Sequence, residues 1–250
     1  MRTIAGAVDL ANRLNRQVVV IWTSDPTLNA PYKLIFDTAP FKIIECKLPS
    51  CKYRFYYHYY KDVLGYHIID DTWIIANCRG NSSDWINDLK DIYIYSCQNI
   101  TLSDDFTMFS LSPVLRQRIN ADICDNNTIG IHIRRTDNLN SIKYSPTSLF
   151  IKKIEEELQE NSKAKFYLAT DDKNEELELV ERFGNHIITY KKEALDRNNS
   201  KAIQDAAIDL YHLAQCKKIY ASYFSSFSDV AALWGGYKCK VVVTNKTDEK

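Results

Sequence analysis

From residue 128 onward, short β-branched and aliphatic runs alternate with segments whose apolar residues recur three and four apart. Nothing else in the chain restricts the fold as much. Apolar runs of this length suit strands buried on both faces, and helical segments between them return the chain to pair in parallel. The candidate strands are Thr128 to Arg134, Lys165 to Thr170, His186 to Tyr190, Lys217 to Ser222 and Cys239 to Val243. They make one Rossmann-like parallel sheet of about five strands. Ser145 and Pro146 offer a cap and first turn to a helix ending near Glu160, and Asp172 caps one running through Glu181. A third helix, from about Ser200 to Gln215, places Ile203, Ala206, Ala207, Leu210, Leu213 and Ala214 on one apolar stripe. A fourth follows Ser226 and stops at Gly235 and Gly236.

The first half is α/β as well, with weaker punctuation. Arg2 to Asn15 has helical period and precedes an apolar strand, Gln17 to Trp22. Further strands are expected at Phe41 to Cys46, Trp73 to Cys78 and Asp91 to Ser96, and helices near Pro31 to Asp37 and Pro113 to Asn120. The polar segment Asp122 to Asn127 serves as linker, giving two domains, residues 1–125 and 126–250. The run Tyr53 to Tyr60 (YRFYYHYY) fits an aromatic-rich strand packed on the core. The alternatives are a wall against which acceptor sugars stack, and docking at a membrane surface.

The 32 basic and 32 acidic residues cancel, so no global field favours nucleic acid. Seven scattered cysteines without a C-x-x-C pair argue against a disulfide framework and a zinc site. No secretory leader pattern and no long apolar span is visible, so a cytoplasmic protein without a transmembrane segment is expected. The phosphate-loop, dinucleotide-fingerprint, nucleophile-elbow and HExxH patterns are all missing, and His58, His67, His186 and His212 have no ligand-like spacing.

Ligands of open parallel sheets bind at the carboxyl ends of the strands. Those ends are chemically loaded here. The first strand carries His132 and Arg134 on one face and ends in Arg135, Thr136 and Asp137; the second ends in Thr170, Asp171 and Asp172; the third leads to Arg197. The fourth ends in Ser222, with Ser225, Ser226, Phe227 and Ser228 at a helix N-terminus where backbone N–H groups suit phosphate. An arginine pair suits a departing diphosphate; its alternative is a surface ion pair with Asp137 or Asp171. Asp171 and Asp172 can bind sugar hydroxyls, a metal or a proton, and for Asp172 the favoured reading is a helix cap. Asp205 and Asp209, one turn apart, fit a solvated face, or for Asp209 the N–H edge of guanine.

The segments HIRRTD at 132–137, FYLATDD at 166–172, and IQDAAIDLYHLAQC followed by IYASYFSSFSDVAALWGG resemble, in order, three motifs of the α1,6- and α1,2-fucosyltransferase superfamily. The stretch MRTIAGAVDLANRLNRQVVVIW is similar to the opening of its bacterial, nodulation-type members. The resemblance implies a GT-B-like pair of Rossmann-like domains and an inverting transfer of L-fucose from GDP-fucose to a glycan hydroxyl. It implies no metal and no further cofactor. Arg134 and Arg135 with Asp137 would form the reactive centre, Arg134 contacting the β-phosphate and Arg135 supporting it. His132 would lie beside the nucleotide, Asp209 would face guanine, Ser225, Ser226 and Phe227 would line the diphosphate, and Asp171 and Asp172 would sit near fucose and acceptor. Family members carry a strand and a G-x-x-N-R loop ahead of the helix that here starts at Met1, so an upstream start or a lost edge of the acceptor domain is expected. Two rivals stay open: a transferase of another nucleotide sugar, and a non-catalytic glycan- or nucleotide-binding protein.

Overall fold

The computed structural model describes residues 1–24, 28–47, 53–77, 89, 91–98, 100–101, 103, 105–119, 123–124, 127–193, 198–236 and 239–246. The chain forms two compact units, Met1–Ser110 and Leu111–Lys250. Half of the segment expected as linker, Asp122 to Asn127, lies outside the described residues.

In the first unit, helix α1 (Arg2–Arg13) leads to strand β1 (Val19–Ser24), one-turn helix α2 (Tyr32–Ile35) and strand β2 (Lys42–Lys47). β1 and β2 pair in parallel, with Val19 opposite Lys42. Trp22 anchors this part: its indole N–H donates to Ala30 O at 2.8 Å, and its ring meets Tyr32 edge-on at 5.2 Å. Helix α3 (Tyr53–His58) runs into a π-helical turn, Tyr59–Val63, and then strand β3 (His67–Asp70), helix α4 (Asp71–Asn77) and strand β4 (Ile92–Tyr95). β3 and β4 form a second parallel pair, and α1 covers it through Leu10, packed with Ile69, Ile74 and Ile100.

Two expectations are corrected here. The aromatic run is helical because its rings recur at helical spacing: Phe55 and Tyr59 stack at 6.0 Å, while Tyr60 stacks on Tyr93 of β4 at 4.6 Å. One side thus packs on β4 and the other leaves Phe55 exposed. The strand expected at Trp73 to Cys78 is instead α4, preceded by the strand. Asp70 accepts the Trp73 amide at 2.8 Å, so the acidic pair after Ile69 starts a helix that the apolar run conceals.

The second unit opens with α5 (Pro113–Arg118), capped by Ser112. There follow β5 (Ile129–Ile133), α6 (Leu139–Tyr144), α7 (Thr147–Glu160), β6 (Phe166–Thr170), α8 (Lys173–Phe183), β7 (Ile187–Ile188), α9 (Ser200–Gln215), β8 (Lys218–Ser222), α10 (Ser226–Trp234) and β9 (Cys239–Val243). All five strands are parallel in the order β7-β6-β5-β8-β9, so the expected sheet is present with β5 at its centre.

Alternation along β5 divides its two faces. Ile129, Ile131 and Ile133 enter a core with Phe150 and Ile154 of α7 and Leu179 of α8. Burying each such side chain contributes ~1.5–3 kcal/mol. Gly130, on the opposite face, lets α9 approach closely: a Cβ there would stand 2.9 Å from Leu213 Cδ2 and 3.4 Å from Cys216 Cβ. α9 also packs against α10, and a further stripe is buried by other partners: Asp205 by Arg118, Asp209 by Tyr167 and Lys192, and His212 by the Tyr167 ring. The solvated face read for those aspartates is therefore overturned. β7 is shorter than expected because Gly184–His186 forms a 3-10 turn. Ser145 and Pro146 do not open α7 with a side-chain cap; Ser145 instead closes α6, a helix not among those expected from the sequence. Among the described residues no helix is long and apolar enough to cross a membrane.

Candidate functional site

The site begins where β5 ends. Because β5 and β6 run in register, Ile133 beside Thr170, the next residues of both strands meet at the carboxyl rim. Asp171 there accepts the Arg135 amide at 2.8 Å, the Thr136 amide at 3.3 Å and the Thr136 hydroxyl at 2.6 Å. Burial alone would raise its carboxyl, but these hydrogen bonds and the Arg134 charge hold it below the usual carboxylate range. From the other flank, Ser222 at the end of β8 accepts the Arg134 amide at 3.0 Å and donates to His132 O at 3.3 Å. Both neighbouring strands thus fix the turn that carries the arginines.

The two arginines diverge. Arg134 Nε donates to Asp137 Oδ1 at 2.8 Å, its Nη2 also meets that oxygen, and its Nη1 lies 3.1 Å from Asp171 Oδ2. One N–H remains on each terminal nitrogen. Arg135 turns the other way, with Nε donating to Glu175 Oε1 at 2.6 Å, Nη2 to Thr147 Oγ1 at 3.1 Å and Nη1 to Arg134 O at 3.0 Å. Every nitrogen of Arg135 is used to brace the turn. Asp137 is half exposed and tied to Arg134.

His132 sits beneath, buried, with its ring stacked on Phe227 at 4.9 Å and 27°. Burial pushes the imidazole down to about 3, so it is neutral, and among the described residues its Nδ1 has no hydrogen-bond partner. Phe227 belongs to the first turn of α10. Ser225 is that helix's N-cap residue, and its side chain makes no capping hydrogen bond. Ser226 is exposed. Ser228 departs from the expected role: it is fully buried and donates to Ser225 O at 3.1 Å, which removes it from a ligand-facing surface. Phe224, just before this turn, has φ +56°, a left-handed conformation that costs a bulky residue ~1–3 kcal/mol. Asn138 at the start of α6 holds it by donating from Nδ2 to Phe224 O at 2.7 Å.

The remaining expected residues have other partners. Asp172 is the N-cap of α8, accepting the Asn174 amide at 2.7 Å and the Glu175 amide at 3.2 Å. Asp209 is buried in α9, where Tyr167 donates to its Oδ1 at 2.6 Å and Lys192 Nζ stands 3.0 Å from its Oδ2. Burial outweighs Lys192 and Tyr167 and pushes its carboxyl above the usual range. Arg197 lies outside the described residues. Sequence reasoning missed Lys192, Tyr167, Glu175, Thr147 and the buried Arg118–Asp205 pair. Glu175 looks like an ordinary first-turn acid, and Lys192 lies in a polar stretch that nothing marks. In the first unit an open cleft of ≈1070 Å³ is lined by Val8, Arg16, Phe41 and Lys42 among others, at the amino ends of β1 and β2.

Neither a protein-family model nor the sequence of a curated protein matches the chain. Solved structures do match in fold. The fucosyltransferase NodZ from Bradyrhizobium superposes with a TM-score of 0.57 at 17% identity, covering 91% of this chain and 86% of that one. NodZ alpha-1,6-fucosyltransferase soaked with GDP-fucose gives 0.57 at 16%, covering 92% and 86%. POFUT1 in complex with GDP gives 0.53 at 9%, covering 96% and 93%. The fold is that of these fucosyltransferases. The resemblance carried by the three motifs thus extends over nearly the whole chain as architecture.

Proposed function

We propose that the chain is a glycosyltransferase that moves L-fucose from GDP-fucose to a hydroxyl of a glycan, with inversion and without a metal ion. The observation that carries this reading is the turn after β5. It presents Arg134 between two clamping strands, one strand away from the α10 N-terminus with its Ser225 and Ser226 hydroxyls. NodZ soaked with GDP-fucose and POFUT1 in complex with GDP share this fold, which supports a guanine nucleotide as the donor's carrier.

In this reading the acceptor oxygen attacks the anomeric carbon while the bond to the diphosphate breaks. The departing β-phosphate gains charge, and the open N–H groups of Arg134 and the first-turn amides of α10 receive it. Asp171 and Asp137 hold the guanidinium beforehand, so it need not reorganise as charge develops. Arg135, Glu175 and Thr147 brace the turn without touching the donor. His132 is neutral and offers Nδ1 to the nucleotide, and Asp209 faces guanine. The proposed setting is the cytoplasm, on the scattered cysteine pattern.

The test is incubation with GDP-fucose, GDP-mannose and UDP-sugars against a panel of glycans, with and without EDTA. GDP release and the anomeric configuration of the product are scored. The expected result is a β-configured donor giving an α-fucoside, equally fast in EDTA. GDP release no faster than spontaneous hydrolysis with every glycan, or transfer from a UDP-sugar alone, overturns the reading.

A further inference from the structure

Lys192 follows β7 and has only 8% of its side chain exposed. A buried ammonium persists only where it is compensated. Here it is compensated twice. Nζ donates to Thr170 O at 2.6 Å and lies 3.0 Å from Asp209 Oδ2. These acceptors belong to different parts of the unit. Thr170 ends β6 and directly precedes Asp171, the carboxylate that clamps the arginine turn. Asp209 lies on α9, with its other oxygen held by the Tyr167 hydroxyl at 2.6 Å. One side chain therefore ties the diphosphate rim to the buried carboxylate assigned to the base.

We propose that Lys192 is a positioning residue of the donor site, which holds the Asp209 carboxyl toward the N–H edge of a guanine nucleotide and fixes Asp171 beneath Arg134 through Thr170. The inference rests on the donor reading above, in which Asp209 faces the base. Each carboxylate oxygen can accept two hydrogen bonds, and Tyr167 and Lys192 use one on each, so one position per oxygen is left for guanine N1–H and N2–H. The groups facing Asp209 are Lys192 from the segment after β7, Tyr167 from β6, and His212 one turn along α9. Burial favours the protonated acid, and the Lys192 charge opposes it most strongly among these partners. Removing that charge favours the protonated acid further, and a protonated acid donates where guanine also donates.

The experiment is calorimetric titration of GDP and of IDP, which lacks the N2 amine, into the full chain. The proteins are the wild type, Lys192→Arg, Lys192→Met and the double variant Lys192→Met/Asp209→Asn, each at about pH 7 and about pH 9. Lys192→Met is expected to bind GDP about tenfold to a hundredfold more weakly at the lower pH and to lose the preference for GDP over IDP. Both should recover at the higher pH as Asp209 ionises. Lys192→Arg should stay closer to the wild type, and the double variant should be weak at both pH values. Wild-type affinity and preference in Lys192→Met at the lower pH overturn the proposal, as does a loss that pH does not change. If the single Met variant does not fold, the double variant decides, since its neutral pair needs no counter-ion; wild-type preference there overturns the proposal. A wild type that binds no GDP sinks the donor reading and this inference with it.

Discussion

Arg134 and Arg135 are adjacent in sequence and opposite in role. Arg134 is held at the rim between the carboxylates of Asp137 and Asp171, whereas Arg135 turns away to Glu175, Thr147 and Arg134 O and braces the turn. Arg134→Ala should therefore lower kcat/KM about 10²–10³-fold, or ~2.7–4 kcal/mol of transition-state stabilisation, in steady-state assays with GDP-fucose. A loss of less than tenfold would remove Arg134 from the reactive centre. His132 yields a stability prediction. Its imidazole is held at about 3 in the folded chain against 6.5 when unfolded, so the unfolded state binds the extra proton between those values. Stability from this group is complete above 6.5 and declines by at most ~1.4 kcal/mol per pH unit as the pH falls below it. Urea midpoints of the wild type should fall between about pH 7 and about pH 5, with a shallower slope in His132→Phe. Parallel slopes would mean that His132 titrates normally.

At the scale of elements, legibility followed how directly sequence period reports burial. β5, β6 and β8 are apolar because both faces are covered, and their runs stand out between helices with clear caps, while the edge strand β9 stands out by its valines although it is largely exposed; Asp172 caps α8 as its position suggests. Asp172→Ala should cost ~1 kcal/mol in chemical denaturation, the ordinary worth of an N-cap, and an unchanged midpoint would deny it that role. Gly130→Ala should cost ~1–2 kcal/mol. The added methyl meets fully buried Leu213 at 2.9 Å, and α9 must yield; a stabilised variant would show that this contact relaxes freely. Local pattern failed where tertiary contacts chose the state. Tyr60 could satisfy a strand or a helix, and stacking on Tyr93 selected the helix. Asp209 looked solvated because a single helix viewed alone has an outer face, and Tyr167 of β6 and Lys192 meet its carboxylate here. α6 was missed because Leu139 and Ile142 are exposed, so its apolar residues mark no buried stripe.

For the whole molecule, the site residues the sequence singled out at the ends of β5, β6 and β8 do meet on one rim, since the parallel order β6-β5-β8 makes those ends neighbours. What the sequence lacked was the bracing around them, in Glu175, Thr147 and Lys192, whose partners are distant in the chain. A ligand gripped by that rim should stabilise the chain by about 2.7 kcal/mol at 100 times its dissociation constant. Thermal unfolding with GDP should shift accordingly, and UDP at equal concentration should shift it less. The central claim is that Arg134 holds the diphosphate of a guanine nucleotide. Its most direct test is calorimetric titration of GDP into the wild type and Arg134→Ala. The wild type should bind one GDP, and the variant should bind it about tenfold to a hundredfold more weakly; equal affinity in the two proteins would contradict the account.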